Sequence, residues 1–227
     1  MISQHVASKS RILILCLFSL LFAVPGCSRF TGKHTDQVPG VLSPRDRLRF
    51  LRDRALNAGN ASETEREMIA ADTAAEYRRQ EDPFMRRASL TTLRAYPGEH
   101  FEAVLRESLA DPSPIVRIES CRLWGARADE EALQRLRNVF ELDENTEVRQ
   151  EAVRALGLTG RSDAIDALTP AIDSRDPAMQ LLAVESLRQC TESDFGNDVA
   201  LWRSFVRGEL PEDAAETRTA RNDWSIF

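Results

Sequence analysis

The chain has 227 residues, of which 42% are hydrophobic and 29% charged, an ordinary globular balance that excludes a low-complexity or collagen-like polymer. Its 30 bases against 36 acids leave a formal charge of −6, which argues against a nucleic-acid partner, since phosphate binding needs a basic stripe. Loss of residues 1–26 would remove Lys9 and Arg11 and no acid, leaving 28 bases against 36 acids, or −8, and no polybasic membrane patch is read from these totals.

Residues 1–26 read as an export signal. Lys9 and Arg11 flank a 13-residue apolar run, Ile12–Val24. That run is short of the roughly 20 residues of a spanning helix and suits the apolar core of a signal peptide. It ends in Val24-Pro25-Gly26-Cys27. This resembles the bacterial lipobox, in which a cysteine after a small residue receives diacylglyceryl and becomes the new N-terminus. Gly26 and Cys27 match, while Pro25 stands where alanine or serine is usual. The resemblance implies a lipid on Cys27; an ordinary cleaved signal and an uncleaved anchor are the alternatives. Residues 27–43 then form a polar tether with Gly and Pro and no helical stripe, expected to be mobile. In the lipoproteins it resembles, a serine after the lipidated cysteine, here Ser28, permits sorting to the outer membrane. The implied address is a cell-envelope membrane facing the periplasm, with the outer membrane favoured.

Residues 44–81 predict an atypical helical pair. Ser43 and Pro44 suit a helix start, and Leu48, Leu51 and Ala55 mark a stripe. Asn57–Asn60 turns the chain, and Ser62 with Glu65 forms a capping box for a second helix whose apolar face is read as Met68, Ala71, Ala75 and Tyr77.

Residues 82–206 hold an internal repeat. Segments starting at Asp82, Ser113, Asn145 and Asp176 align without gaps at spacings of 31, 32 and 31. The first column suits N-caps, and Pro83, Pro114 and Pro177 suit the first helical position. Met85, Val116, Val148 and Met179 align, then Arg86, Arg117, Arg149 and Gln180, then Ser89, Ser120, Ala152 and Ala183, then Leu93, Trp124, Leu156 and Leu187. The apolar or small columns lie at i, i+4 and i+8, one face of a helix. A second helix follows each of the first three segments, with stripes Phe101/Leu105/Leu109, Leu133/Leu136/Phe140 and Ile165/Leu168/Ile172; after Leu187 the fourth repeat changes, and beyond a turn Val199, Trp202 and Phe205 form the last apolar face. Pro170 should kink or shorten the third of these, Ser162 or Asp163 is placed to cap it, and Asn197 to cap the last. Neither helix of such a hairpin buries its stripe alone, so hairpins must stack.

Asn145-Thr146, Val148-Arg149, Ala152 and Ala155-Leu156-Gly157 resemble the short HEAT repeat, the form called phycobilisome-lyase-type HEAT-like. The resemblance is strongest in the third repeat; the first lacks the valine and the glycine. It implies an all-α, right-handed α-solenoid of stacked helical hairpins, an armadillo-type superhelix, with a concave surface of second helices that binds protein partners. The residues opposite the buried stripe there are Arg106, Glu131, Arg135 and Asn138, candidate partner contacts whose simpler reading is a solvated polar face.

No constellation for chemistry emerges. His5 lies in the signal, His34 in the tether, and His100, expected exposed, opens a helix. Zinc would need three or four N/S ligands, and Glu99-His100 reverses the His-Glu order of the di-iron hydroxylases built from such repeats. Asp194-Phe195-Gly196 spells the kinase metal motif without its companions and reads as a turn. Asp143–Glu147 begins like a calcium loop, but Val148 stands where that loop needs glycine. Cys121 and Cys190 fall two repeats apart, too far for a disulfide. The expectation is a non-catalytic, membrane-tethered scaffold with a protein partner and no metal, cofactor or small-molecule substrate. A lyase-type enzyme or enzyme accessory factor is the alternative. Residues 207–227 read as a disordered tail ending in Trp224, Ile226 and Phe227, which either dock back, serve a partner or fray.

Overall fold

The computed structural model describes residues 42–191 and 193–210. Cys27, the tether up to residue 41 and the tail from residue 211 lie outside the described residues. The chain divides into Met1–Ser43 and Pro44–Phe227. Of the first unit, Leu42 and Ser43 are described.

The second unit is an α-solenoid. Among the described residues it holds ten α-helices, one 3₁₀ turn and no strand. These are α1 (Pro44–Asn57), the turn Ala58–Asn60, α2 (Glu63–Arg79), α3 (Pro83–Leu93), α4 (Glu99–Ser108) and α5 (Pro114–Arg127). They continue as α6 (Glu130–Leu142), α7 (Thr146–Leu158), α8 (Ala164–Ile172), α9 (Pro177–Cys190) and α10 (Val199–Val206). Odd-numbered helices pack in succession as one layer; α4, α6, α8 and α10 each fold back on their predecessor, while α2 packs against α3 and α4. None of the described helices is long and apolar enough to cross a membrane.

The repeat columns become the core. Leu93, Trp124, Leu156 and Leu187 are fully buried, as are Val116 and Val148, with Met85 and Met179 nearly so. Burying one such side chain favours folding by about 1.5–3 kcal/mol, so a face of four per hairpin suffices only when neighbours cover it. Glycine directly after the Trp124 and Leu156 positions lets the layer close. A Cβ on Gly125 would lie 2.8 Å from the Ala155 carbonyl oxygen, so α5 and α7 approach backbone to backbone.

Side chains of Asp82, Asn145 and Asp176 accept from backbone N–H groups of the next turn, as N-caps do. Ser113 makes no such bond; its own N–H donates to Asp111 Oδ1 at 2.8 Å. Ser62 and Glu65 form the expected capping box.

The arginine column ties hairpins together. Arg117 Nε and Nη2 donate to the two oxygens of Asp143 at 2.8 and 2.9 Å, and its Nη1 donates to the Asp111 carbonyl at 2.8 Å. Arg86 repeats the arrangement one hairpin earlier, with both nitrogens on Asp111 at 2.8 Å and its third on the Gln80 carbonyl at 3.0 Å. Arg149 keeps the carbonyl bond, to Asp143 at 2.8 Å, and Gln180 its equivalent, to Ser174 at 2.5 Å. Ser174 occupies the loop position that the two earlier aspartates hold, its hydroxyl accepting from the Asp176 N–H at 3.1 Å, so the carboxylate struts stop there.

Several expectations shift. On α2 the buried residues are Ala70, Thr73, Ala74 and Tyr77, and Met68 is 60% exposed. Ile69 is the one large aliphatic residue of this Ala-rich helix and is only partly buried against the core, and Tyr77, anchored to Asp111 by its hydroxyl at 3.0 Å, sets the rotation. Leu51 is the buried residue of α1, whereas Leu48 is exposed. Asp163 bonds no backbone of α8 with its side chain and pairs with Arg161 instead. Asp198, one residue beyond Asn197, caps α10. His100 is half-buried, 3.1 Å from Glu67. Pro170 sits inside α8, which has 9 residues against 13 in α6.

Candidate functional site

The four polar residues singled out from the second helices come together. Arg106 projects from α4, and Glu131, Arg135 and Asn138 from α6. Positions 131, 135 and 138 share a helix face through their i, i+4 and i+7 spacing. Arg106 Nε donates to Glu131 Oε1 at 2.9 Å, and Arg135 Nε donates to the same oxygen at 2.9 Å. Bonds from Arg106, then from Arg135, pull the Glu131 carboxyl down to about 2. Glu131 therefore stays ionised and sets both guanidiniums beside one another.

Below this pair runs an open groove of about 360 Å³ between α4 and α6, lined by Arg106, Leu109, Arg135, Asn138, Val139 and Leu142, with Ala110 and Asp143 at its end. Leu109 and Val139 are partly buried against the core, so they form a fixed apolar floor. Leu142, the last residue of α6, is 80% exposed. Arg135 also lies over the Trp124 ring, 5.1 Å from guanidinium to centroid, and Arg127 covers the same ring at 4.8 Å. Trp124 is itself fully buried, so the two arginines seal the core while presenting their nitrogens outward. Glu102 and Asp129 both pair with Arg127 and complete a mixed-charge network around the groove mouth.

At the end of the groove Asp143 bonds Arg117. Burial would push the Asp143 carboxyl up, but the Arg117 bonds and the Asn145 N–H outweigh it and hold the carboxyl below its ordinary range. This is helix-cap and strut chemistry in place of a calcium loop: Asn145 Oδ1 accepts from Glu147 and Val148 N–H groups at 3.0 and 3.1 Å.

The arrangement offers apolar contact, two cationic donors and one amide, the vocabulary of protein recognition. Among the described residues no group of three or more His, Cys, Asp or Glu is placed to hold a metal ion. Cys121 and Cys190 are both buried and free, and burial pushes their thiols up to about 12 and about 11. Phe195 of the kinase-like tripeptide is buried edge-on against Trp202, 5.0 Å between centroids, so that turn closes the end of the core.

Sequence reading found the polar rim of the groove and missed its apolar part. The stripe places Leu109 against the core, where it is partly buried, without showing that its free side faces a groove, and Leu142 has no periodic signal because it ends its helix. The buried Glu151, which accepts from Arg122 of the preceding hairpin at 2.9 Å, also escaped, being a carboxylate in an otherwise apolar face.

The sequence model of the family described as HEAT repeats matches residues 138–200, from within α6 to the start of α10. No curated protein matches the chain. The matched stretch and the stack of helical hairpins together support a HEAT-repeat protein.

Proposed function

We propose that this chain is a non-catalytic scaffold, tethered to a bacterial envelope membrane through a lipid on Cys27, that holds a protein partner in the groove between α4 and α6. The observation that carries the reading is the pairing of a fixed apolar floor with two guanidiniums beside the protruding Leu142. HEAT repeats generally mediate protein–protein contact, which supports the same use of this face. The favoured occupant is an acidic segment that inserts an apolar side chain beside Leu109 and Val139 and sets a carboxylate against Arg106 and Arg135.

Capture from detergent-solubilised envelopes tests the groove. Leu142→Asp and Arg106→Gln should each lose the wild-type partner, Leu181→Asp on α9 should keep it, and wild-type capture should weaken as salt rises. Equal capture by the groove variants and loss in Leu181→Asp would place the contact elsewhere. Metabolic labelling with an alkynyl fatty acid tests the tether: label present in the wild type and absent in Cys27→Ala supports it, and equal label in both removes it. Purified protein that retains a stoichiometric chromophore or metal would favour the lyase-type reading.

A further inference from the structure

Helix α1 carries five arginines and two aspartates in PRDRLRFLRDRALN, a net of +3, opposite in sign to the chain's −6. Arg45, Leu48, Arg49, Arg52 and Leu56 follow one another at helical spacing and are all exposed, so three guanidiniums and two leucines share one outward face. The remaining arginines of α1 are used internally: Arg47 bonds Glu76 at 2.5 Å, and Arg54 bonds Asp72 at 2.7 Å and lies over Phe50. On the outward face Arg49 has a long pair with Asp46 at 3.6 Å, and Arg45 and Arg52 have no carboxylate partner among the described residues. The large exposed apolar residues concentrate here too. Leu42, Leu48, Phe50 and Leu56 fall within residues 42–56, while the α3–α10 hairpins show Phe84, Leu142, Leu158 and Leu181, about one to each odd helix or its partner.

A helix in the first hairpin of a solenoid has no preceding repeat to cover it. Natural end units answer this with a polar outer face; α1 answers with arginine interleaved with leucine. That combination suits the headgroup layer of an anionic bilayer, where guanidiniums meet lipid phosphate and short apolar side chains reach the acyl boundary. Pro44 follows Cys27 by 17 residues, so a lipid on that cysteine would keep α1 within reach of the surface.

We infer that the Arg45/Leu48/Arg49/Arg52/Leu56 face of α1 lies on an anionic phospholipid surface. It is a second membrane contact that fixes which way the solenoid points. One acyl anchor leaves the domain free to tumble; an anchor plus a basic face gives two attachment points and one orientation. The choice of a bilayer as occupant draws on the proposed tether, and the experiment scores the two separately.

Benzoylphenylalanine is placed at position 56, and in a control at position 181, in the full chain expressed in cells fed a clickable phosphatidylglycerol precursor. Irradiation should yield lipid adducts at 56 and at least about tenfold fewer at 181. Each arginine near an anionic surface favours it by about fivefold in partition, so Arg45→Gln/Arg49→Gln/Arg52→Gln should cut the adduct at 56 several-fold while acyl labelling of Cys27 is unchanged. A protein adduct at 56, a second copy of this chain included, or no adduct at all, overturns the inference. Lipid adducts at 56 in a chain without acyl label would keep this face and sink the tether. Acyl label with no lipid adduct at 56 would do the reverse.

Discussion

Gly157 of α7 and Ser186 of α9 touch: a Cβ built on Gly157 would lie 2.7 Å from both Cα and Cβ of Ser186. Ser186 in turn donates its hydroxyl to the Val153 carbonyl at 2.9 Å, which holds the two helices in this register. Gly157→Ala must therefore push α9 away along backbone, where little relaxes, and should cost about 1–3 kcal/mol. Gly59→Ala, with open space around the new methyl, should stay within about 0.5 kcal/mol. Urea unfolding of the two variants compares them directly; equal midpoints would mean that the α7–α9 contact is looser than described.

Leu156 is fully buried and Leu158, two residues on, is exposed. Leu156→Ala should cost about 2–5 kcal/mol through lost burial and the cavity left behind. Leu158→Ala should cost little. Circular dichroism melts that rank them in the opposite order would rotate α7 by half a turn.

Asp143 and Arg117 are both nearly buried, with side chains 7% and 8% exposed. Breaking the pair with Asp143→Ala leaves a buried guanidinium and should cost about 3–5 kcal/mol. The acid dependence has a defined sign. The folded carboxyls of Asp111 and Asp143 sit below the ordinary value of 3.8, so the folded state binds fewer protons than the unfolded one. Their contribution is complete above pH 4 and is lost as pH falls through the lower folded values. Stability of the wild type should thus fall more steeply below pH 4 than that of Asp143→Asn, as read from unfolding midpoints along a pH series.

Charge reversal at both Arg106 and Arg135 would surround Glu131 with carboxylates. The Glu131 carboxyl, now held at about 2 by those two guanidiniums, should titrate well higher in the double Glu variant. NMR titration of that carboxyl reads the change, and no movement would break the described network. For this reason the neutral Arg106→Gln is the cleaner probe of partner capture.

Cys121 and Cys190 should resist a thiol reagent in the native chain and react once urea unfolds it, since both sulfurs are buried and their thiols titrate far above neutrality. Peptide mapping by mass spectrometry separates the two sites.

What could be read in the chain followed how strongly residue type marks a face. The repeat columns were legible because Leu, Val, Trp and Met recur against charged neighbours, and all of them are buried or nearly so. The face of α2 was not, because alanine fits inside and outside alike, and the outcome depended on one tyrosine bonding a residue 34 positions away. Arg106, Glu131, Arg135 and Asn138 were legible as the polar side of two helices. Their meeting across a hairpin boundary, and the apolar groove beneath them, depend on how α4 and α6 stack, which no local pattern encodes. The basic face of α1 was hidden by the acidic total of the whole chain.

The two-bond carboxylate struts end where Ser174 replaces aspartate, and this makes the solenoid elastically uneven. Its early joints, at Arg86–Asp111 and Arg117–Asp143, are braced by shielded charges that dissolved ions barely soften. An earlier joint also carries an exposed pair between second helices, Arg106–Glu131, but at the last joint the charged brace among the described residues lies in that layer alone, where Arg203 and Arg207 reach a solvent-accessible Asp173. Ionic strength then acts as a local lubricant: it loosens the α8–α10 joint and leaves the earlier ones stiff. Hydrogen exchange that quickens with salt in α9 and α10, and not in α3 to α7, would register a spring whose compliance is concentrated at one end.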